Sequence, residues 1–285
     1  MFGRSALQAV DIERPVLDLS GEGLRAILRI MIAGSEDHGG IERYVDAVKL
    51  KSSMFQEALA GGAVQSLDLE TFKGLCTFMS TVRRRAGLWL HEDAFGQMYE
   101  AINDLFARED AIDARIEGFC ERFPRDKEHR WVRDLATEML HNADPERVPL
   151  MNRWVWDAKS NSGVIREIWH ADDVDHIKIP VGDGYGTYLV LREELSQFLS
   201  DEGFFRDVLQ YVDILCAQIY AQYICEQGSS YLRTDFSAPE DPMQHTRRLL
   251  GLDGVRSGNG KTRLKSVDGE AFILDDSKLL NRVNN

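Results

Sequence analysis

The sequence is poor in the features that mark secreted proteins, membrane proteins, zinc sites and serine hydrolases. Its four cysteines are scattered and form no Cys-x-x-Cys pair, which favours free thiols in a reducing compartment. The longest uncharged apolar stretch, residues 214–225, is too short to cross a bilayer. No continuous apolar leader precedes the first acidic residues, and no Gly-x-Ser-x-Gly elbow is present. We therefore expect a cytoplasmic protein that does not associate with membranes.

The chain also lacks an excess of positive charge. Its formal net charge is −13, which argues against a general nucleic-acid binder because phosphate contacts need a basic surface. The charge is uneven, however. Residues 147–170 carry four basic and two acidic side chains, and residues 243–285 carry eight basic and five acidic ones. These two segments are compatible with a local basic surface on an acidic body.

Apolar residues recur mainly at helical spacing. Spacings of three and four residues run through 24–31 and 72–79, and Asp68 is placed to cap the second of these helices. The segment 204–225 is apolar on most sides and predicts a buried central helix. The sequence therefore predicts a mainly α fold.

The C-terminal region follows a different pattern. Residues 262–274 alternate between apolar and polar side chains around Asp268-Gly269, which is typical of a β-hairpin. A short helix is predicted to follow from Asp275.

The segment around Asp183 has two interpretations. In one, residues 177–181 and 187–191 are paired strands that flank a GDGYG turn. In the other, Asp183 caps a helix from about residue 185 to 200, and we favour this one because its periodicity extends over more residues. The dipole of such a helix keeps the carboxylate ionised, and an ionised carboxylate can stabilise an oxocarbenium ion. A simple N-cap is the alternative role.

Tryptophan is concentrated near this segment. Four of the five tryptophans lie in or just before it: Trp131, Trp154, Trp156 and Trp169. A buried indole needs a partner for its N–H, and the ring stacks well on flat ligands. The cluster therefore predicts either a binding site for a planar ligand or a packed core.

Short motifs within residues 150–200 resemble the helix-hairpin-helix DNA glycosylase superfamily. They are Arg153-Trp154-Val155, Gly163-Val164, Trp169, and Ile179-Pro180-Val181 followed by Asp183. The resemblance is nearest to divergent branches such as the archaeal oxoguanine glycosylases. With the hairpin pattern, it implies a two-lobed helical glycosylase-like fold with a small C-terminal β-hairpin. The implied units are an N-terminal helical lobe (1–145), a lobe that carries the site (146–252), and the hairpin with its short helix (253–285).

The resemblance implies hydrolysis of the N-glycosidic bond of a damaged or modified base flipped out of DNA. Asp183 matches the family's catalytic aspartate. The residues implied to contact the base are Trp154, Trp156, Trp169, Tyr185 and Asn152, and those implied to contact phosphate are Arg153, Arg166 and Lys178. No cofactor or metal is implied. DNA repair and defence against modified invading DNA would both use such an activity.

Some members of this superfamily also cleave the strand, with a lysine amine as nucleophile. The matching helix carries Asn152 and Arg153, and an arginine stays protonated and cannot attack. We therefore expect a monofunctional hydrolase, with Lys159 as the nearest alternative nucleophile.

Two other functions remain open from the sequence. One is a non-enzymatic helical interaction or accessory protein, in which the tryptophans are core residues and no cleft lies beside Asp183. The other is a di-metal helical bundle, because two Glu-x-x-His pairs have the spacing of such sites. Its ligands would be Glu138, His141, Glu167 and His170.

Overall fold

A computed structural model describes residues 14–36, 39–171, 176–231, 242–252, 261–265 and 271–275. This part of the chain is mainly helical, as the sequence predicts. Its α-helices are α1 (Gly21–Glu36), α2 (Ile41–Leu59), α3 (Leu69–Thr77), α4 (Glu92–Ala107), α5 (Ile112–Cys120), α6 (Trp131–Ala143), α7 (Val164–Glu167), α8 (Tyr185–Asp201), α9 (Val208–Tyr231) and α10 (Pro242–Leu249). Two 3-10 segments, Ala60–Ser66 and Gly87–Leu90, connect helices in the first half.

Two short strands follow the last helix. They are β1 (Lys261–Lys265) and β2 (Ala271–Asp275), which pair antiparallel with Arg263 opposite Ile273. The turn at Asp268-Gly269 and the short helix predicted after Asp275 lie outside the described residues.

Local sequence signals account for several of the helices. In α1 the residues Leu24, Leu28 and Met31 share one buried face, as the spacing predicts. The predicted cap of α3 is confirmed, because the Asp68 carboxylate accepts a hydrogen bond of 2.7 Å from the Thr71 N–H. This bond lowers the pKa of Asp68 below its ordinary value.

Helices α6 and α9 are the two central elements. All thirteen residues of α6 except Arg133 are buried, and α2 contacts both α6 and α9. The predicted central helix is present as α9 but begins four residues late, since Gly203 and Asp207 have φ of 95° and 54°. Phe205 lies in the resulting loop and is 77% exposed. Across the described residues, every helix is too short or too polar to span a membrane.

The turn that follows α10 fits tightly against the end of α3. Gly251 has φ of +74°, and a Cβ added there would lie 1.8 Å from the backbone oxygen of Phe78. A side chain at this position would therefore combine backbone strain with a collision against backbone. Thr246 fixes the preceding helix, because its hydroxyl donates to the Gln218 side chain on α9 at 2.7 Å.

We predict that Gly251→Ala destabilises the protein more than Gly62→Ala does. Gly62 also has a positive φ, of +87°, but a Cβ there would meet nothing within 4 Å. Gly62→Ala should cost only the backbone strain, about 1–2 kcal/mol. Gly251→Ala should cost about 1–3 kcal/mol more through overpacking. Urea unfolding of both variants measures the difference, and equal losses would contradict the close packing of this turn.

Candidate functional site

The segment that carries Asp183 forms a helix start and not a hairpin. Helix α8 begins at Tyr185, so the helical interpretation is confirmed and the paired-strand interpretation is wrong. Asp183 does not cap this helix, however. The N-cap is Gly184, and the Tyr185 N–H donates to both carboxylate oxygens of Asp113 at 2.9 and 3.0 Å. Asp113 lies on α5, 72 residues away, so no local signal could have identified it.

Asp183 is held in place through its backbone. The Arg133 guanidinium donates from Nη2 to the carbonyl oxygen of Asp183 at 2.9 Å and from Nη1 to that of Met151 at 3.0 Å. Burial lowers the pKa of Arg133, but electrostatic interactions with the acidic groups Tyr188, Asp183 and Asp134 outweigh burial and raise it overall. The Asp183 side chain is half-buried. A charged arginine thus fixes the backbone of Asp183, which carries a partly accessible carboxylate just before a helix.

The tryptophans near Asp183 are largely core residues. Trp156 is fully buried and donates from Nε1 to the Val181 carbonyl oxygen at 3.2 Å. Trp154 is also buried, and its ring centroid lies 6.0 Å from that of Tyr220. Trp169 is half-buried against the same core. The packed-core interpretation therefore describes Trp154 and Trp156, and neither forms the wall of an open slot for a base.

Two other residues implied to bind the base are occupied elsewhere. Asn152 is fully buried, and its Nδ2 donates to Glu138 Oε1 at 3.1 Å. Tyr185 is half-buried, and its hydroxyl donates to the Arg147 carbonyl oxygen at 2.7 Å. Asn152 is thus a core residue in this structure, and the base contact implied for it stays a prediction.

The implied phosphate contacts differ in accessibility. Arg153 donates from Nη2 to Asp134 Oδ2 at 2.9 Å, and Asp134 is fully buried, so the guanidinium anchors a loop to α6. Arg166 is half-buried and donates to the Asn161 carbonyl oxygen at 3.2 Å. Lys178 is exposed, as is the alternative nucleophile Lys159.

The residues that carry the resemblance nevertheless fold as one connected unit. Tyr188 on α8 donates from its hydroxyl to the Trp156 carbonyl oxygen at 2.6 Å. Asn161 bonds the backbone of Ile177 and of Ile179, at 3.0 and 2.9 Å. A Cβ at Gly163 would lie 2.7 Å from the Val155 carbonyl oxygen, so that turn requires glycine. The structure therefore brings the predicted motifs together, but around a packed interior.

A second group of functional side chains lies in the core, and we call it the charged centre. It consists of Lys51, Glu138, His141 and Asp213, all buried. Lys51 Nζ donates to Glu138 Oε2 at 2.8 Å and to the Leu250 carbonyl oxygen at 3.0 Å. The sequence analysis did not identify Lys51 or Asp213. The sequence did contain a signal for each of them. Lys51 is a charged residue on the apolar face of α2, and Asp213 is a charged residue within the apolar helix α9.

His141 and Asp213 share a proton at the charged centre. His141 Nδ1 lies 2.9 Å from the Val148 carbonyl oxygen, and Nε2 lies 3.1 Å from Asp213 Oδ2. A carbonyl oxygen can only accept, so Nδ1 carries a hydrogen, and a second proton must lie between Nε2 and the carboxylate. Burial lowers the pKa of His141, but the charge and hydrogen bond of Asp213 outweigh burial and raise it overall.

The residues of the di-metal interpretation are not gathered into one site. Glu138 and His141 are paired with Lys51 and Asp213, whereas His170 is exposed on the loop after α7. Within the ranges that the structure describes, no group of three or more His, Cys, Asp or Glu side chains is placed to hold a metal ion.

Comparisons with protein-family models, with curated proteins and with solved structures found no match to this chain.

We predict that the protein loses stability as the pH rises through the folded-state pKa of His141. Because this pKa is raised above 6.5, the stabilisation is complete below the unfolded-state pKa and disappears at higher pH. NMR titration of the histidine ring protons, combined with urea unfolding across pH, measures both effects. Asp213→Asn removes the carboxylate and should lower the pKa of His141. A pKa of His141 at or below 6.5 in the unmodified protein would contradict the shared proton.

Proposed function

We propose that this chain hydrolyses the N-glycosidic bond of a damaged or modified base in DNA, with Asp183 as the catalytic carboxylate. As the base departs, positive charge develops on the sugar, and a fixed carboxylate stabilises that transition state. The bond between the sugar carbon and the base nitrogen breaks. Water adds its hydroxyl to the sugar carbon, and the remaining proton of that water balances the one that the departing base takes up. This reaction uses no cofactor.

The position of Asp183 is the observation that carries the proposal. Its backbone is fixed by Arg133 while its side chain remains half-exposed. The backbone contact fixes where the carboxylate is attached, and its partial exposure leaves it accessible to a substrate. The connected fold of residues 150–200 supports the resemblance that assigned the role to this residue.

The proposal places the DNA on the exposed face near Asp183. Lys178 and Lys159 are exposed and would supply the phosphate contacts. Trp169 and Tyr185, both half-buried, are the aromatic residues left for stacking on a flipped base. Lys159 remains the alternative nucleophile if strand cleavage accompanies base release. A two-lobed glycosylase-like arrangement, the C-terminal hairpin with its short helix, cytoplasmic location, and a role in repair or defence are parts of the same proposal.

A helical interaction or accessory protein is the second candidate function. The small size of two cavities favours this function, because neither could hold a base. One cavity is lined by Trp154 and Asp213, and the other by Tyr188 and Asp213. Each measures about 10 Å³, which is room for about one water molecule. Asp183 lines neither of them, and a base would have to be held in a more open site.

We predict that Asp183→Asn slows base release by about 100-fold or more, the loss typical when one preorganised electrostatic contact is removed. The assay incubates the protein with duplexes that carry individual damaged or modified bases and reveals abasic sites with alkali. The fold should survive, because the structural bond at this residue uses its backbone oxygen. Circular dichroism checks that point.

Asp113→Asn is the matched control. It retains an oxygen that can accept from the Tyr185 N–H, so it changes a carboxylate at the same helix start without removing Asp183. Its rate should stay within a few-fold of the unmodified protein. Full activity in Asp183→Asn would overturn the assigned mechanism, and absence of base release from every duplex would favour the second candidate.

A further inference from the structure

The cavity beside the charged centre has the size and the lining of a site for one water molecule. It lies between α2, α6, α9 and the turn after α10, and its volume is about 10 Å³. Its polar lining consists of Lys51, Glu138, His141, Asn142 and Asp213. The rest of the wall is apolar. A buried water needs two to four polar partners, and the charged and amide groups of these five side chains can supply them.

The charges around the cavity are matched. Lys51 is paired with Glu138 at 2.8 Å, and His141 is paired with Asp213 at 3.1 Å. A charged occupant would upset this balance in a buried site, where an unpaired charge is costly. The occupant that fits is therefore neutral and able both to donate and to accept hydrogen bonds.

Trp154 provides the independent observation. It lines the cavity and is only 7% exposed, yet its Nε1–H has no acceptor among the described residues. A buried N–H is almost always hydrogen-bonded. The N–H of Trp156, by contrast, donates to the Val181 carbonyl oxygen. The two indoles are alike in burial and differ in whether the protein supplies a partner.

The carboxylates of the cavity have capacity to accept from such an occupant. Asp213 Oδ2 faces His141, and a carboxylate offers about four acceptor positions in all. An O–H directed at Asp213 would also add a hydrogen bond to the carboxylate that shares the proton of His141.

We propose that a single long-lived water occupies this cavity, where it accepts from the Trp154 Nε1–H and donates to the carboxylate of Asp213. The water links the loop that carries Trp154 to α9, next to the ion pair between α6 and α9. This proposal does not depend on base hydrolysis at Asp183, since it concerns a site in the core.

The test is NMR of the protein with ¹⁵N-labelled tryptophan, in which magnetisation transfer from water to each indole N–H is measured. The Trp154 N–H should show through-space transfer of the sign given by a slowly exchanging bound water. The Trp156 N–H serves as the matched control and should show no such transfer. Trp154→Phe and Trp156→Phe assign the two signals.

If Trp154→Phe does not fold, the Trp154 signal is assigned by elimination from Phe variants of the other tryptophans. Through-space transfer at Trp154 and not at Trp156 supports the proposal. Absence of transfer at Trp154, or equal transfer at both indoles, would overturn it.

Discussion

Four charged side chains are buried where helices α2, α6 and α9 pack against one another. Lys51 extends from α2 to Glu138 on α6 and to the carbonyl oxygen of Leu250 after α10, and His141 on α6 contacts Asp213 on α9. Removing such charges from water costs several kcal/mol for each ion. Each of these charges can therefore be buried only when a neighbouring helix supplies a side chain of opposite charge. This constraint fixes how α2, α9 and the turn after α10 lie against α6.

The same helix sets the position of the proposed catalytic residue. Arg133 lies five residues before Glu138 on α6 and donates to the carbonyl oxygens of Met151 and Asp183. The segment 150–183 is thus attached to α6, and Tyr188 connects α8 to the same segment. Arg133 therefore links the site that we propose for base hydrolysis to the core helix α6.

The sequence predicted those features that depend on neighbouring residues. The helix α8, the cap at Asp68 and the buried α9 follow from periodicity and local hydrogen bonding. Contacts between distant residues were not predictable, since Lys51 and Glu138 are 87 positions apart. The sequence also left open whether Trp154 and Trp156 face a ligand or the core. Both lie in an irregular stretch between α6 and α7, where helical periodicity does not determine which side faces the core.

The measurement that tests the central constraint most directly is a double-mutant cycle of Lys51→Met and Glu138→Gln, the two members of one buried ion pair. Each single change leaves a buried charge without its partner and should cost about 3–5 kcal/mol of unfolding free energy. The double variant removes one positive and one negative charge and restores the balance. We therefore predict that it loses less than the sum of the single changes, by at least about 0.5 kcal/mol. Strictly additive losses would contradict the claim that the buried charges of Lys51 and Glu138 depend on each other.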